Sequence, residues 1–170
     1  MRKRGAMKIA NPAGILIALL FAAAPVSAAE DVGLARMATC QDSWLDWQTK
    51  DPAQLKTFGD HLHTEFSEHG NDPYVVPKAN VSIAGLRVTQ LFPNSVGMGV
   101  GLSATVDAPF DKARQAIEKA SGKSLAKCET GEGMRSCELE IAEKRTLVLM
   151  AEDSLKATTT LVGCYYFYEK

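Results

Sequence analysis

All three histidines fall within one stretch, His61-Leu62-His63-Thr64-Glu65-Phe66-Ser67-Glu68-His69. On a helix, His61, Glu65 and His69 are spaced by four and share a face, with Glu68 beside them. Imidazole and carboxylate together suit zinc or copper. Against that chemistry, His61 and His69 would stand two helical turns apart, which is wide for one ion, and no standard zinc spacing is matched. The plainer reading is a solvated face opposite Leu62 and Phe66. On that reading no metal and no cofactor is expected. Replacing both His61 and His69 with Ala should then change stability by less than about 0.5 kcal/mol.

The other reactive side chains are four cysteines, Cys40, Cys128, Cys137 and Cys164. An even count in an exported chain reads as two disulfides, and four cysteines allow three pairings. Cys128 and Cys137 flank the turn-like Glu129-Thr130-Gly131-Glu132-Gly133, which favours joining them. Cys40 would then pair with Cys164 and leave no free thiol. A zinc site is the other use of four cysteines, but it calls for a Cys-x-x-Cys pair that is not present.

Val96 to Val106 alternates apolar residues with Gly97, Gly99, Gly101, Ser103 and Thr105. Period two is the signature of a strand. A phosphate loop would need its glycines between a strand and a helix, where helix amides meet the phosphate, whereas these lie inside a strand. Glycine adds chain entropy and no packing, so three on one face imply that something approaches the backbone closely. The expectation is one of the chain's own helices, Phe110 to Ala120, and Gly99→Val should overpack that contact. If the face is open instead, Gly97, Gly99 and Gly101 form a docking surface. Cys164-Tyr165-Tyr166-Phe167-Tyr168 closes the chain's last strand. It puts Tyr165 and Phe167 on one face and Tyr166 and Tyr168 on the other, and one pair should be core. Tyr166 and Tyr168 are the candidates for an aromatic recognition patch. Gly-x-Ser-x-Gly and His-Glu-x-x-His, the spacings of common hydrolases, do not occur, so no catalytic residue is assigned.

These groups need elements to hold them. Met37, Cys40, Trp44 and Trp47 recur at helical spacing and predict a first helix over about Leu34 to Thr49. Its tryptophans read as core. Asp51 and Pro52 start a second helix, Gln54 completes a capping box, and Leu55, Phe58, Leu62 and Phe66 form the apolar stripe up to Gly70. A loop with Pro73 and Pro77 follows. Val81 to Phe92 reads as a strand with a bulge at Gly85, turned by Pro93-Asn94-Ser95 into an antiparallel hairpin with the glycine strand. Asp107 and Pro109 open a third helix that Gly122 ends. Leu125 to Glu129, Cys137 to Ile141, Thr146 to Ala151 and Thr158 to Tyr168 read as strands, the third buried on both faces. The fold class expected is α+β: two N-terminal helices, then a mostly antiparallel sheet formed by a β-hairpin, a helix and three or four further strands, stapled by disulfides.

Residues 1–29 read as a secretory signal peptide. Arg2, Lys3, Arg4 and Lys8 precede an apolar run from Ile15 to Ala24, and Val26-Ser27-Ala28-Ala29 offers small residues for cleavage. The run is short of the about 20 residues that a membrane anchor needs. Residues 30–170 then form one α+β domain. All twenty acidic residues stay with it while four of the nineteen basic ones leave, so it carries about five net negative charges. Nucleic-acid binding needs a basic footprint, and the balance argues against it. The expectation is a periplasmic or secreted binding protein without catalysis, directed at another exported protein as an inhibitor or immunity-type factor. Complementary charge would speed its meeting with a basic target. The alternatives are a module holding a small apolar ligand or envelope lipid between helices and sheet, and a metal-handling protein using His61 and His69.

Overall fold

Among the described residues, four helices and a mostly antiparallel sheet form the α+β fold that these periodicities imply. The structure is a computed structural model that describes residues 29–93, 99–142 and 144–167. The N-terminal half runs β1 (Ala29–Glu30), α1 (Val32–Ala38), α2 (Trp44–Lys50), α3 (Pro52–Glu65), β2 (Phe66–Glu68), β3 (Val75–Pro77), β4 (Val81–Ile83) and β5 (Leu86–Phe92). It continues with β6 (Gly99–Val106), α4 (Phe110–Ser121), β7 (Cys128–Gly131), β8 (Met134–Ala142), β9 (Arg145–Glu152) and β10 (Thr160–Phe167). The strand order is β1-β4-β5-β6-β10-β9-β8-β7, with β2 and β3 attached beside β5. β1 pairs with β4 in parallel, and the other pairs are antiparallel. Ala29 thus sits in the sheet, one residue before the domain start expected at 30. The leader, residues 94–98 and Tyr168 lie outside the described residues, and so do the Asn94-Ser95 turn and Gly97.

The first helix is two. Thr39 to Ser43 interrupts it, because Cys40 takes a left-handed φ of 58° and Ser43 starts α2 afresh by accepting from the Asp46 N–H. The break lets Cys40 reach the central strand, where it is bonded to Cys164. Helix α3 begins as expected, with Asp51 accepting from the Gln54 N–H, but stops at Glu65 rather than Gly70. Phe66 turns extended and buries its ring in the core, and β2 then pairs with β3 where a loop was expected. Burial of one large aromatic outweighs the propensity of another helical turn.

Strand Val81 to Phe92 is also divided. Ala84 and Gly85 both take positive φ, 53° and 73°, the geometry of a two-residue type I′ hairpin, so Gly85 is a turn and not a bulge. The bulge lies further on, between Val88 and Gln90. β5 and β6 form the expected antiparallel pair. Glu132 and Gly133 make a second tight turn, φ 53° and 76°, which sets Cys128 opposite Cys137 for the other disulfide. Asp107 is not the cap of α4. Its N–H is held by the Arg87 carbonyl, and Pro109 occupies the cap position instead. Gly122 ends α4 at φ 67°.

Helix α4 contributes Phe110, Ala113 and Ile117 to the cluster that holds Leu102, Ala104, Val106, Leu147, Leu149 and Val162. It therefore lies on the apolar face of the sheet, nearest β9, with α1 against β6, and not on the glycine face expected. At Gly101 the glycine face is filled by an aromatic from the neighbouring strand. Tyr165 sits opposite Gly101 in register, and a Cβ on Gly101 would lie 2.8 Å from its Cδ1. β9 is buried on both faces, as its apolar run predicts, though inside an antiparallel sheet.

Candidate functional site

The apolar stripe of α3 does not close onto the sheet. Leu55, Phe58 and Leu62 are only half-buried, and none of the residues of α3 is fully buried. They form one wall of a cavity of about 240 Å³ whose other walls include Met37, Trp44, Gly101 and Leu102. Trp47 supports that wall from behind, edge-on to Phe58 at 5.7 Å. The tryptophans read as core are both half-buried, and Trp44 faces the cavity. Gly59, in the middle of α3, lines the same cavity, and a Cβ there would meet nothing within 4 Å. Glycine in a helix interior costs about 1 kcal/mol relative to alanine, and here no packing requires it. What its missing side chain does is keep the cavity open. Sequence reasoning passed over Gly59 and took the stripe for core. The signal available was a glycine in mid-helix beside an apolar stripe.

Trp44 also meets Tyr166 edge-on, 5.9 Å between ring centres. Tyr166 in turn lines a second cavity of about 290 Å³, together with Ser43, Leu45, Asp46, Ala142 and Arg145. Arg145 sits opposite Tyr166 in the β9–β10 register, so both side chains leave the sheet on its helix-covered face. Among the described residues three buried side-chain polar atoms lack a hydrogen-bond partner. Two of them, Arg145 Nε and Tyr166 Oη, belong to this cavity; the third, Ser103 Oγ, is on the opposite face of the sheet. Burial pushes the Tyr166 phenol above its ordinary value, with nearby Ser43 and Arg145 pulling it back. Asp46 stands 3.8 Å from Arg145 and 3.1 Å from Lys50, and chiefly the bond to Lys50 holds its carboxyl below the usual range.

Tyr166 was a candidate, with Tyr168, for an aromatic surface patch, but it is only 8% exposed and belongs to the core. Tyr165 is buried as well, because β10 lies between β6 and β9 with neighbours on both faces. The aromatic patch is therefore not formed by Tyr166. Gly101 does not belong to an open surface, because it is buried under Tyr165; Gly99 pairs with Phe167 along the backbone, and Gly97 lies outside the described residues.

The histidines are not brought together. Because α3 stops at Glu65, His69 leaves the helix face that His61 occupies. His61 Nε2 lies 2.6 Å from Asp31, whose other carboxylate oxygen caps α1 by accepting from the Leu34 N–H. His69 instead meets Asp72 and stacks on Tyr74. Among the described residues no group of three or more His, Cys, Asp and Glu side chains gathers as a metal would require. The expected near-neutrality of both histidines is revised for one of them. His61→Ala should cost about 1 kcal/mol, since it unpairs a mostly buried carboxylate that joins α1 to α3. His69→Ala should leave the melting curve unchanged, because its contacts are on the surface. Thermal melts of the two single variants separate the cases.

The two disulfides, Cys40–Cys164 and Cys128–Cys137, are those expected, and they are compatible with an oxidising extracellular compartment. No helix among the described residues is long and apolar enough to cross a membrane. Set against protein-family models, curated proteins and solved structures, the chain matches none of them.

Proposed function

We propose that this is a periplasmic or secreted, non-catalytic binding protein that holds a small apolar ligand or envelope lipid between α3 and the sheet. The observation that carries this reading is the unfilled apolar cavity under α3, with Gly59 in its wall. A helix with an apolar stripe ordinarily buries it against a core. This one keeps Leu55, Phe58 and Leu62 around free space, and sites for small molecules are typically concave, mostly apolar and largely preformed.

Organic extraction of the protein purified from envelope, followed by mass spectrometry, should recover a lipid or other apolar molecule at near-stoichiometric amount. Gly59→Leu should abolish that recovery while leaving the melting temperature equal or higher, because it adds helix propensity and fills the cavity mouth. Wild-type protein that yields nothing, and binds no apolar probe that Gly59→Leu rejects, would count decisively against the reading.

A protein-directed role, as an inhibitor or immunity-type factor, is the second reading. The observation favouring it is the β7–β8 hairpin at the sheet edge, where Glu129, Glu132, Glu138 and Glu140 are all exposed. Such an edge complements a basic target. Recovery of one stoichiometric basic protein from the same preparation, with no extractable lipid, would favour this second reading.

A further inference from the structure

We infer that Arg145 and Tyr166 form a binding site for a single carboxylate group, the polar end of an amphiphilic monocarboxylic acid. The inference rests on the reading of the cavity under α3 as the seat of an apolar ligand. It starts from two buried donors, Arg145 Nε and Tyr166 Oη, that make no well-formed hydrogen bond, although Ser43 stands near the phenol. Tyr166 is more than nine-tenths buried, its hydroxyl has no partner, and it lines the second cavity. Arg145 Nε is buried without a partner beside the same space. A buried donor left unmade costs the desolvation of that group, so two in one cavity call for an acceptor. An oxyanion accepts from both. A guanidinium edge presents parallel N–H groups that match the two oxygens of a carboxylate.

Charge narrows the class. The guanidinium is the cation nearest the space, and Asp46 stands 3.8 Å from it. Lys50 is engaged with Asp46 on the exposed side of α2. One positive charge offset by a neighbouring carboxylate suits a monoanion and disfavours a dianionic phosphate. The surroundings narrow it further. Trp44 lines the apolar cavity and meets Tyr166, which lines the polar one, so the two cavities are linked by one ring contact. A ligand with a hydrocarbon tail and one carboxylate has a matching group for each.

Titrating the purified protein at neutral pH with octanoate, 1-octanol and acetate, following tryptophan fluorescence and heat, separates the contributions. Octanoate should bind about tenfold or more tighter than 1-octanol, the scale of a charge-assisted hydrogen bond to a buried donor. Acetate should bind too weakly to measure. Arg145→Gln and Tyr166→Phe should each bring octanoate close to 1-octanol while leaving 1-octanol affinity and the melting curve as in wild type. Equal binding of octanoate and 1-octanol by the wild type would overturn the carboxylate site and leave the apolar cavity standing. An octanoate preference that survives Arg145→Gln would also overturn it. Binding of octanoate and acetate alike, with none of 1-octanol, would keep the carboxylate site and reject the apolar seat. Binding of none of the three would reject both.

Discussion

Replacing Cys40 and Cys164 together with Ala should cost about 5 kcal/mol, the largest effect of any change considered for this protein. The bridge joins residues 124 positions apart, so it removes more freedom from the unfolded chain than a short loop does. The Cys128–Cys137 bridge, separated by 9 positions, should be worth only about 3 kcal/mol in the same account. A single domain is commonly stable by about 5–15 kcal/mol, so the long bridge is a large share of the whole. The backbone gives the prediction a second handle. Cys40 holds a φ of 58°, a region where glycine is at ease and alanine is not. Cys40→Gly with Cys164→Ala should therefore be more stable than the double alanine variant by about 1 kcal/mol. Urea unfolding of the three proteins checks both statements. A double alanine variant within 1 kcal/mol of wild type, on that scale, would mean that α1 and β10 hold together without the bridge. Peptide mapping without reductant should find both bonds and no free thiol.

Gly101→Val should cost about 3 kcal/mol, the upper part of the usual overpacking range, despite valine's better strand propensity. A Cβ at this position would lie 2.8 Å from Tyr165 Cδ1 and 3.1 Å from Tyr165 Cα, and closer still to the Cys164 carbonyl oxygen. A ring can rotate away, but the backbone of a central strand cannot. Tyr165→Ala added to Gly101→Val should recover only part of the loss, because the carbonyl contact remains. Gly59→Ala is the control of opposite sign: it has open space, and should stabilise by about 1 kcal/mol. Thermal melts decide among these. If Gly101→Val melted at or above wild type while a partner was lost, the glycine face would be a docking surface after all.

Much of this fold was legible in the chain because its signals are local. Alternation marked β6 and the buried run marked β9, since strand faces follow from a period of two. Asp51-Pro52 marked the start of α3 and Gly122 the end of α4, since caps are set by a few neighbouring dihedrals. The site was much less legible. Leu55, Phe58 and Leu62 carry the same pattern whether a helix closes on a core or stands off it. Arg145 stands just before the buried run Thr146 to Ala151, and nothing near it in sequence pointed to Tyr166 or Ser43.

The sequence by itself determined most of the element types and the α+β class, and it favoured the cysteine pairs that form, because hydrophobic period, turn chemistry and loop spacing act over a few residues. Only the tertiary structure decided which face of β6 the helices cover, that Tyr165 and not α4 fills the space over Gly101, and that Tyr166 is buried. It also decided that α3 ends at Glu65, parting His61 from His69. Each of these turns on competition for the same volume between residues far apart in the chain. Burial of Phe66 against the sheet, or of Tyr165 against a glycine on the next strand, exists only once the strands have taken their register. Until then the free energy that decides between the alternatives is not a property of any short segment.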